Sequence, residues 1–344
     1  MTTFQDRPIG AAVGDATEGA DPAKAESAAP RPGTDPAAGL AAQRVKLEPF
    51  NVWVGPLAHL ADEGARLAEL TFDHFGVERM GTTIGAEVTG IDLRRPLADE
   101  VVAELQRCLF QFKVLFFRDQ PLSADEHVAF ARRFGPLEVH PFIGSNSAHP
   151  ELVRFEKHAG VGGYENGWHS DVSWRERPSL GAVLHALEVP PVGGDTLFAD
   201  MYAAYEGLEP EVRERIDGLT AIHDYVQVFG HGVAEADRQR MRAQYPPARH
   251  PVVRTHPGTG RKLVYVNRFF VDRIEGLERD ESDALVEFLS SQAEVVEYQC
   301  RFHWEQHSVA FWDNRAVQHY ASSDYWPQRR VMERASIQGE RPSS

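Results

Sequence analysis

With 344 residues, 42% of them hydrophobic, the chain can bury a large core, as one big domain or two smaller ones. A formal charge of −15 argues against nucleic acid, whose phosphates need a basic face, but allows a small anion held by a few local arginines. No apolar run is long enough to span a bilayer, and no secretory hydrophobic region opens the sequence. Cys108 and Cys300 stand far apart in no metal-binding spacing and read as reduced thiols of a cytoplasmic protein, with a buried disulfide as the alternative.

Residues 1–44 are rich in Ala, Gly, Pro, Asp and Glu and hold almost no large apolar side chain beyond Phe4, so a disordered tail is expected. Residues 45–79 become globular, with helical periodicity from Pro56 to Leu70, and are expected to pack as an addition on a main domain at 80–342. Thr82–Leu93 alternates like a strand. Ala98–Phe112 carries Val101, Val102, Leu105, Leu109 and Phe112 on one helical face. Val114–Phe117 is a wholly apolar run, expected to be a buried strand, and Ser123 with Glu126 forms a capping box for the next helix. Strands and loops follow from Leu152 to Leu187, then a turn at Gly193–Thr196, helices at Met201–Leu208 and Glu211–Leu219, and a polar insertion at Gln227–Arg249. Val252–Thr255 and Leu263–Val266 form a hairpin around Gly258–Gly260. A helix covers Glu281–Ala293, and strands are expected at Tyr298–Trp304, Val309–Trp312 and Arg330–Ile337. The pattern is that of a mainly β protein with helices: a distorted jelly roll, or double-stranded β-helix, with flanking helices and long insertions.

Within this frame, Trp168-His169-Ser170-Asp171 stands out. In an extended segment, His169 and Asp171 leave the same face and offer a divalent metal two neighbouring ligands. His319, in Gln318-His319-Tyr320, is the best third ligand. Two histidines and a carboxylate on one octahedral face are the arrangement of non-haem iron(II) oxygenases. Arg330 lies eleven residues beyond His319, and its planar guanidinium suits a carboxylate, to which Thr196 could add a hydroxyl. Taken singly, each has a plainer role: a hydrogen-bonded structural histidine, a turn threonine, a surface arginine. Trp168 and Trp312 fit packing as well as a site wall, as do Phe270, Tyr225 and Phe229. His185, His223, His250, His256, His303 and His307 read as structural or surface residues.

Taken in order, Ile84–Val88, Lys113–Arg118, Phe134–Leu137, Trp168–Asp171, Gly193–Thr196, His250–Arg254, Trp312–Arg315 and Gln318–Ala321 resemble the taurine dioxygenase / 2,4-dichlorophenoxyacetate dioxygenase family of Fe(II)- and 2-oxoglutarate-dependent oxygenases, from about Met80 to Pro342. The resemblance implies a jelly roll, iron on His169, Asp171 and His319, and 2-oxoglutarate chelating that iron with its far carboxylate on Arg330 and Thr196. It implies O2 as the other cosubstrate and oxidation, foremost hydroxylation, of an unactivated C–H bond with release of succinate and CO2. A carboxylate at residue 171 takes the position a halide would need, which disfavours halogenation; desaturation, cyclisation and heteroatom loss stay open.

His140 and Arg334 match the family's sulfonate-holding residues, so the substrate is expected to carry an anionic head. Substrate contacts are expected from His140, Glu165, Val172, Phe270 and Arg334. Glu165, Ile143 and Glu333 depart from the taurine pattern: Glu165 is an acceptor when ionised and suits an ammonium, and Ile143 makes its wall apolar. The expected substrate is thus a small or medium acid, amino-bearing as one option, and not taurine. A taurine or alkylsulfate dioxygenase releasing sulfite or sulfate is the alternative. A zinc hydrolase on the same triad and a silent binding protein of the same fold are further alternatives. The expected partner is a small acidic molecule, with no nucleic acid and no membrane; assembly as a homo-oligomer is left open.

Overall fold

The computed structural model describes residues 45–47, 52–140, 145, 148–163 and 165–344; the expected tail at 1–44 and Ile143 lie outside them. The described residues divide into two units on either side of Pro56 and Leu57. In the first, β1 (Val45–Leu47) and β2 (Val52–Val54) form an antiparallel hairpin.

The second unit is built on a seven-stranded sheet. In spatial order its strands are β3 (Gly76–Arg79), β4 (Ala86–Thr89), β5 (Val114–Phe117), β15 (Val309–Asp313), β7 (Gly181–Glu188), β17 (Arg330–Ile337) and β6 (Leu152–Lys157). All pairs are antiparallel except β4 with β5. The N-terminal addition expected at 45–79 therefore ends too late: Gly76–Arg79 is an edge strand of the main sheet. A three-stranded sheet of β14 (Gln299–Phe302), β8 (Thr196–Asp200) and β16 (Val317–Ala321) faces it.

The apolar run at β5 explains the layering. Alternate side chains leave opposite faces of a strand. Val114 and Phe116 join Ala182, Ala310, Trp312 and Met332 in a core shared with Phe198, Phe302 and Val317 of the smaller sheet. Leu115 and Phe117 point the other way, with Val183, Val309, Phe311 and Ile337, into a second core. That core is covered by α2 (Asp99–Phe112), through Leu105 and Leu109, and α3 (Ala124–Arg132), through Val128 and Phe130. The larger sheet is thus buried on both faces, so β5 reads as continuous rather than alternating hydrophobicity.

The smaller sheet carries its own outer layer. Here α1 (Ala58–Ala68), α4 (Met201–Glu206) and α8 (Arg279–Ser291) share a core with the hairpin β11 (Val253–Thr255)–β12 (Lys262–Val264). Buried Lys113 ties the layers: its ammonium donates to the Thr83 carbonyl at 2.6 Å and lies 3.1 Å from Asp200. Asp200 in turn accepts the Tyr202 and Ala203 N–H groups and caps α4. The Ser123–Glu126 capping box forms as expected.

Between α5 (Pro210–Ile216) and the hairpin lie β9 (Thr220–His223), α6 (Val226–Phe229), α7 (Glu235–Gln244) and β10 (Ala248–Pro251). β10 and β13 (Val271–Ile274) flank β9 in a third small sheet. No helix among the described residues is long and apolar enough to cross a membrane. Cys108 and Cys300 are both buried and free, so no disulfide joins them.

Candidate active site

His319 sits in β16, directly opposite Phe198 of β8. Just beyond the sheet, the His169 N–H donates to the His319 carbonyl at 3.1 Å, and the His319 N–H donates back at 2.8 Å. This reciprocal pair puts residues 150 positions apart side by side, with ring centroids 4.3 Å apart. Extended backbone stops there. A turn begins at Asp171, and Val172 takes φ +46°, a conformation that strains a β-branched residue. So the ligand pair does not share a strand face; the turn swings the carboxylate toward both rings. Asp171 Oδ1 lies 3.9 Å from His169 Nε2, and Oδ2 lies 3.9 Å from His319 Nε2. The three ligating atoms fall within 4.8 Å of one another, the only such His/Cys/Asp/Glu group among the described residues.

Buried hydrogen bonds hold this strained turn. Asn314 Oδ1 accepts the Asp171 N–H at 2.7 Å, while Nδ2 donates to the carbonyls of Asp171 at 3.0 Å and Ser179 at 3.1 Å. Ser173 Oγ accepts from Asn267 Nδ2 at 3.2 Å and lies 3.0 Å from His223 Nδ1, and His250 Nε2 bonds the Ser173 and Arg175 carbonyls. Sequence reasoning gave Asn314 no role. Its one signal is its place in Trp312-Asp313-Asn314-Arg315, and only the fold brings it to Asp171.

Protonation favours metal binding. His169 Nδ1 lies 2.7 Å from the Gly167 carbonyl. A carbonyl only accepts, so Nδ1 carries a proton and Nε2 is the nitrogen turned toward Asp171 and open to a metal. For His319, burial first and then His169 push the pKa down to about 3, with Asp171 opposing and Arg334 adding, so the ring is neutral. For Asp171, burial favours the neutral acid, but Arg334 and the two imidazoles outweigh it and hold the group at about 2. An Nε2 from each of two imidazoles and one ionised carboxylate suit iron(II).

Strand β17 supplies the other half. Its pleat places Arg330, Met332 and Arg334 on the cavity face. Arg334 Nη1 donates to both Asp171 oxygens, at 2.9 and 2.8 Å, so it orients the Asp171 carboxylate as well as facing the cavity where a substrate anion was expected. Arg330 is buried, 7% exposed, between the rings of Trp304 and Tyr325, and its Nε and Nη2 have no hydrogen-bond partner. Thr196 Oγ1 accepts the Trp304 indole N–H at 2.9 Å, which leaves its own proton to donate. Gly194, at φ +74°, lets the turn approach: a Cβ there would stand 3.3 Å from Arg330 Cδ. An unpartnered guanidinium edge and a hydroxyl in one cavity offer a seat for a carboxylate, so these residues fit a dicarboxylate that reaches toward the His169–Asp171–His319 group.

One cavity of about 270 Å³ joins these groups, and it contains every residue expected at the site: His140, Glu165, His169, Asp171, Val172, Thr196, Phe270, His319, Arg330 and Arg334. Trp312 and Phe229 also line it, whereas Trp168 and Tyr225 pack elsewhere, in neighbouring cores. Its further walls are largely apolar: Phe155, Trp174, Leu184, Phe198, Val228, Phe269 and Met332. Burial, then Arg334 and Arg175, push His140 down to about 4, with Asp171 opposing, so it meets a ligand as a neutral imidazole. Glu165 departs from expectation: its carboxylate is 3.0 Å from Lys157 Nζ, so the acceptor expected to receive a substrate ammonium already has a cation. Lys157 was missed because its position depends on the pairing of β6 with β17.

Comparison with known proteins gives concordant results. The family model for the taurine catabolism dioxygenase TauD, TfdA family matches residues 76–336. The alpha-ketoglutarate-dependent sulfate ester dioxygenase of Pseudomonas putida is 34% identical over 267 residues, covering 75% of this chain and 88% of the relative. The alpha-ketoglutarate-dependent 2,4-dichlorophenoxyacetate dioxygenase of Cupriavidus pinatubonensis is 35% identical over 273 residues, covering 73% and 93%. The crystal structure of a taurine dioxygenase from Burkholderia xenovorans superposes with a TM-score of 0.69 at 34% identity, over 79% of this chain and 93% of that one.

Proposed function

The chain belongs to the TauD, TfdA family, and from that premise we propose that it oxidises a C–H bond of a small or medium-sized anion with an apolar body. It is an iron(II)- and 2-oxoglutarate-dependent dioxygenase. When bound, the iron supplies O2 activation coupled to decarboxylation of 2-oxoglutarate to succinate and CO2. His169, Asp171 and His319 would hold the metal, and Arg330 with Thr196 would hold the far carboxylate of 2-oxoglutarate. The supporting observation is the unpartnered, buried Arg330 edge in the same cavity as the triad, which neither a zinc hydrolase nor a binding module would require.

Arg334 keeps Asp171 ionised and oriented while its guanidinium also faces the cavity, and His140 offers one N–H to the same head group. Phe155, Trp174, Leu184, Phe269 and Phe270 exclude water and grip an apolar body by area. The relatives are named for sulfate esters and an aryloxyacetate, which share an anionic head and an apolar remainder. With Glu165 paired to Lys157, an amino group on the substrate loses its support. Buried, free cysteines fit a cytoplasmic setting.

A succinate assay across alkyl sulfates, alkyl sulfonates, aryloxy acids and taurine tests this. The apolar anions should give the highest kcat/KM, and His140→Ala should raise KM for them. Taurine as the preferred substrate, or a His140→Ala enzyme with unchanged KM, would overturn the assignment.

A further inference from the structure

We propose that Lys157 is a positioning residue for the cosubstrate: it neutralises Glu165 at the Arg330 end of the cavity, so that this end retains the positive charge a dicarboxylate needs. The inference rests on the assignment of Arg330 as the seat of a 2-oxoglutarate carboxylate.

Its origin is register. Strand β6 pairs with β17 so that Lys157 lies directly opposite Arg330, and Phe155 opposite Met332. Directly opposed residues share a face, and all four side chains line the cavity. Lys157 is 16% exposed at its side chain; its ammonium lies 3.0 Å from Glu165 Oε1 and donates to the Gly162 carbonyl at 3.4 Å.

Glu165 is fixed at this end by its main chain, because the Ala321 N–H donates to its carbonyl at 3.2 Å, two residues beyond His319. Gly163 gives it room: a Cβ there would meet Glu165 Oε2 at 3.0 Å and the Tyr325 hydroxyl at 3.7 Å. The Tyr325 ring in turn lies 5.7 Å from the Arg330 guanidinium. Glu165, Lys157, Tyr325 and Arg330 therefore meet at one end of the cavity; Asp195, the other carboxylate that acts on Arg330, is itself paired with Arg301 and His303. Without Lys157, an incoming carboxylate would meet Glu165 as a like charge in a partly desolvated space, where such repulsion is poorly screened. With Lys157, the Glu165–Lys157 pair is neutral and the Arg330 charge, with the Thr196 hydroxyl, meets the ligand without an opposing carboxylate. The consequence is electrostatic, so removing both charges should undo the effect of removing one.

The test is calorimetric titration of 2-oxoglutarate into Mn(II)-loaded protein, without O2 or substrate. Lys157→Met is expected to weaken 2-oxoglutarate roughly tenfold, with Mn(II) affinity unchanged. Lys157→Arg should bind within about threefold of wild type, and Lys157→Met/Glu165→Gln should recover to a similar level. Glu165→Gln alone, a change at a half-exposed side chain that keeps the fold even where Lys157→Met does not, should bind as tightly as wild type or more so. A Lys157→Met protein with wild-type affinity, a double variant as weak as Lys157→Met, or a weakened Glu165→Gln would each overturn the proposal. Wild-type protein that takes up no 2-oxoglutarate would instead remove the Arg330 assignment, and this proposal with it.

Discussion

Replacing Arg330 with methionine separates its cost to the fold from its use in binding. The guanidinium is buried with Nε and Nη2 unpartnered, and burial lowers its pKa against the opposing pull of Tyr325, Glu165 and Asp195. Each unpaired buried donor costs about 1–3 kcal/mol. Against this stand contacts to the Trp304 and Tyr325 rings at 5.8 and 5.7 Å, near the outer limit of useful cation–π distance and worth about 0.5–1 kcal/mol each. Methionine fills a similar volume without a charge. The metal-loaded protein lacking 2-oxoglutarate should therefore melt at the same temperature or a few degrees higher, roughly 2–4 °C for each kcal/mol gained. Binding moves the other way. Loss of a buried guanidinium–carboxylate pair costs about 2–5 kcal/mol, a roughly 30- to 5,000-fold weaker 2-oxoglutarate complex. Thermal melts of Mn(II)-loaded wild type and Arg330→Met, each with and without 2-oxoglutarate, check both halves. The wild type should rise in Tm with 2-oxoglutarate and the variant should not. A variant several degrees less stable that still responds to 2-oxoglutarate would refute the reasoning, because Arg330 would then be a structural residue.

Three other outcomes follow from the same geometry. His169→Ala, Asp171→Ala and His319→Ala should each abolish succinate formation and bound iron while far-ultraviolet circular dichroism stays native; near-normal turnover in any one removes that residue from the ligand set. Asn314→Ala strands the Asp171 N–H and the Asp171 and Ser179 carbonyls, so urea unfolding should show a loss of about 2–5 kcal/mol together with weaker Mn(II) binding. A loss below about 1 kcal/mol would mean that the strained turn holds itself. Burial pushes His127 and His185 down, to about 4 and about 3, with neighbouring histidines adding for His185. The unfolded chain binds these protons near pH 6.5, so their contribution is fully present above that pH and is lost as pH falls toward 4. The slope is up to about 3 kcal/mol per pH unit for the pair. His127→Gln should flatten the stability–pH curve over that window, and an unchanged slope would count against the assignment.

What the sequence by itself determined was local. The capping box at Ser123, the amphipathic face of α2 and the two-sided burial of β5 follow from period and residue type, which neighbours along the chain can enforce. The candidate triad and Arg330 were also marked in the sequence, because His-x-Asp, a distant His and an Arg eleven residues later stand in order among the segments that resemble the family. What the tertiary structure decided was where side chains point and what they meet. His169 and Asp171 converge through a strained turn rather than a shared strand face, because the extended pairing ends at the His169–His319 bridge and Asn314 pins Asp171 two residues beyond His169. Arg334 turned out to orient Asp171, and Glu165 to face Lys157. Both partnerships depend on the pairing and packing of β17, which brings together residues far apart in sequence. Register between distant strands is set by the summed packing of two cores, and no short stretch of sequence carries that information.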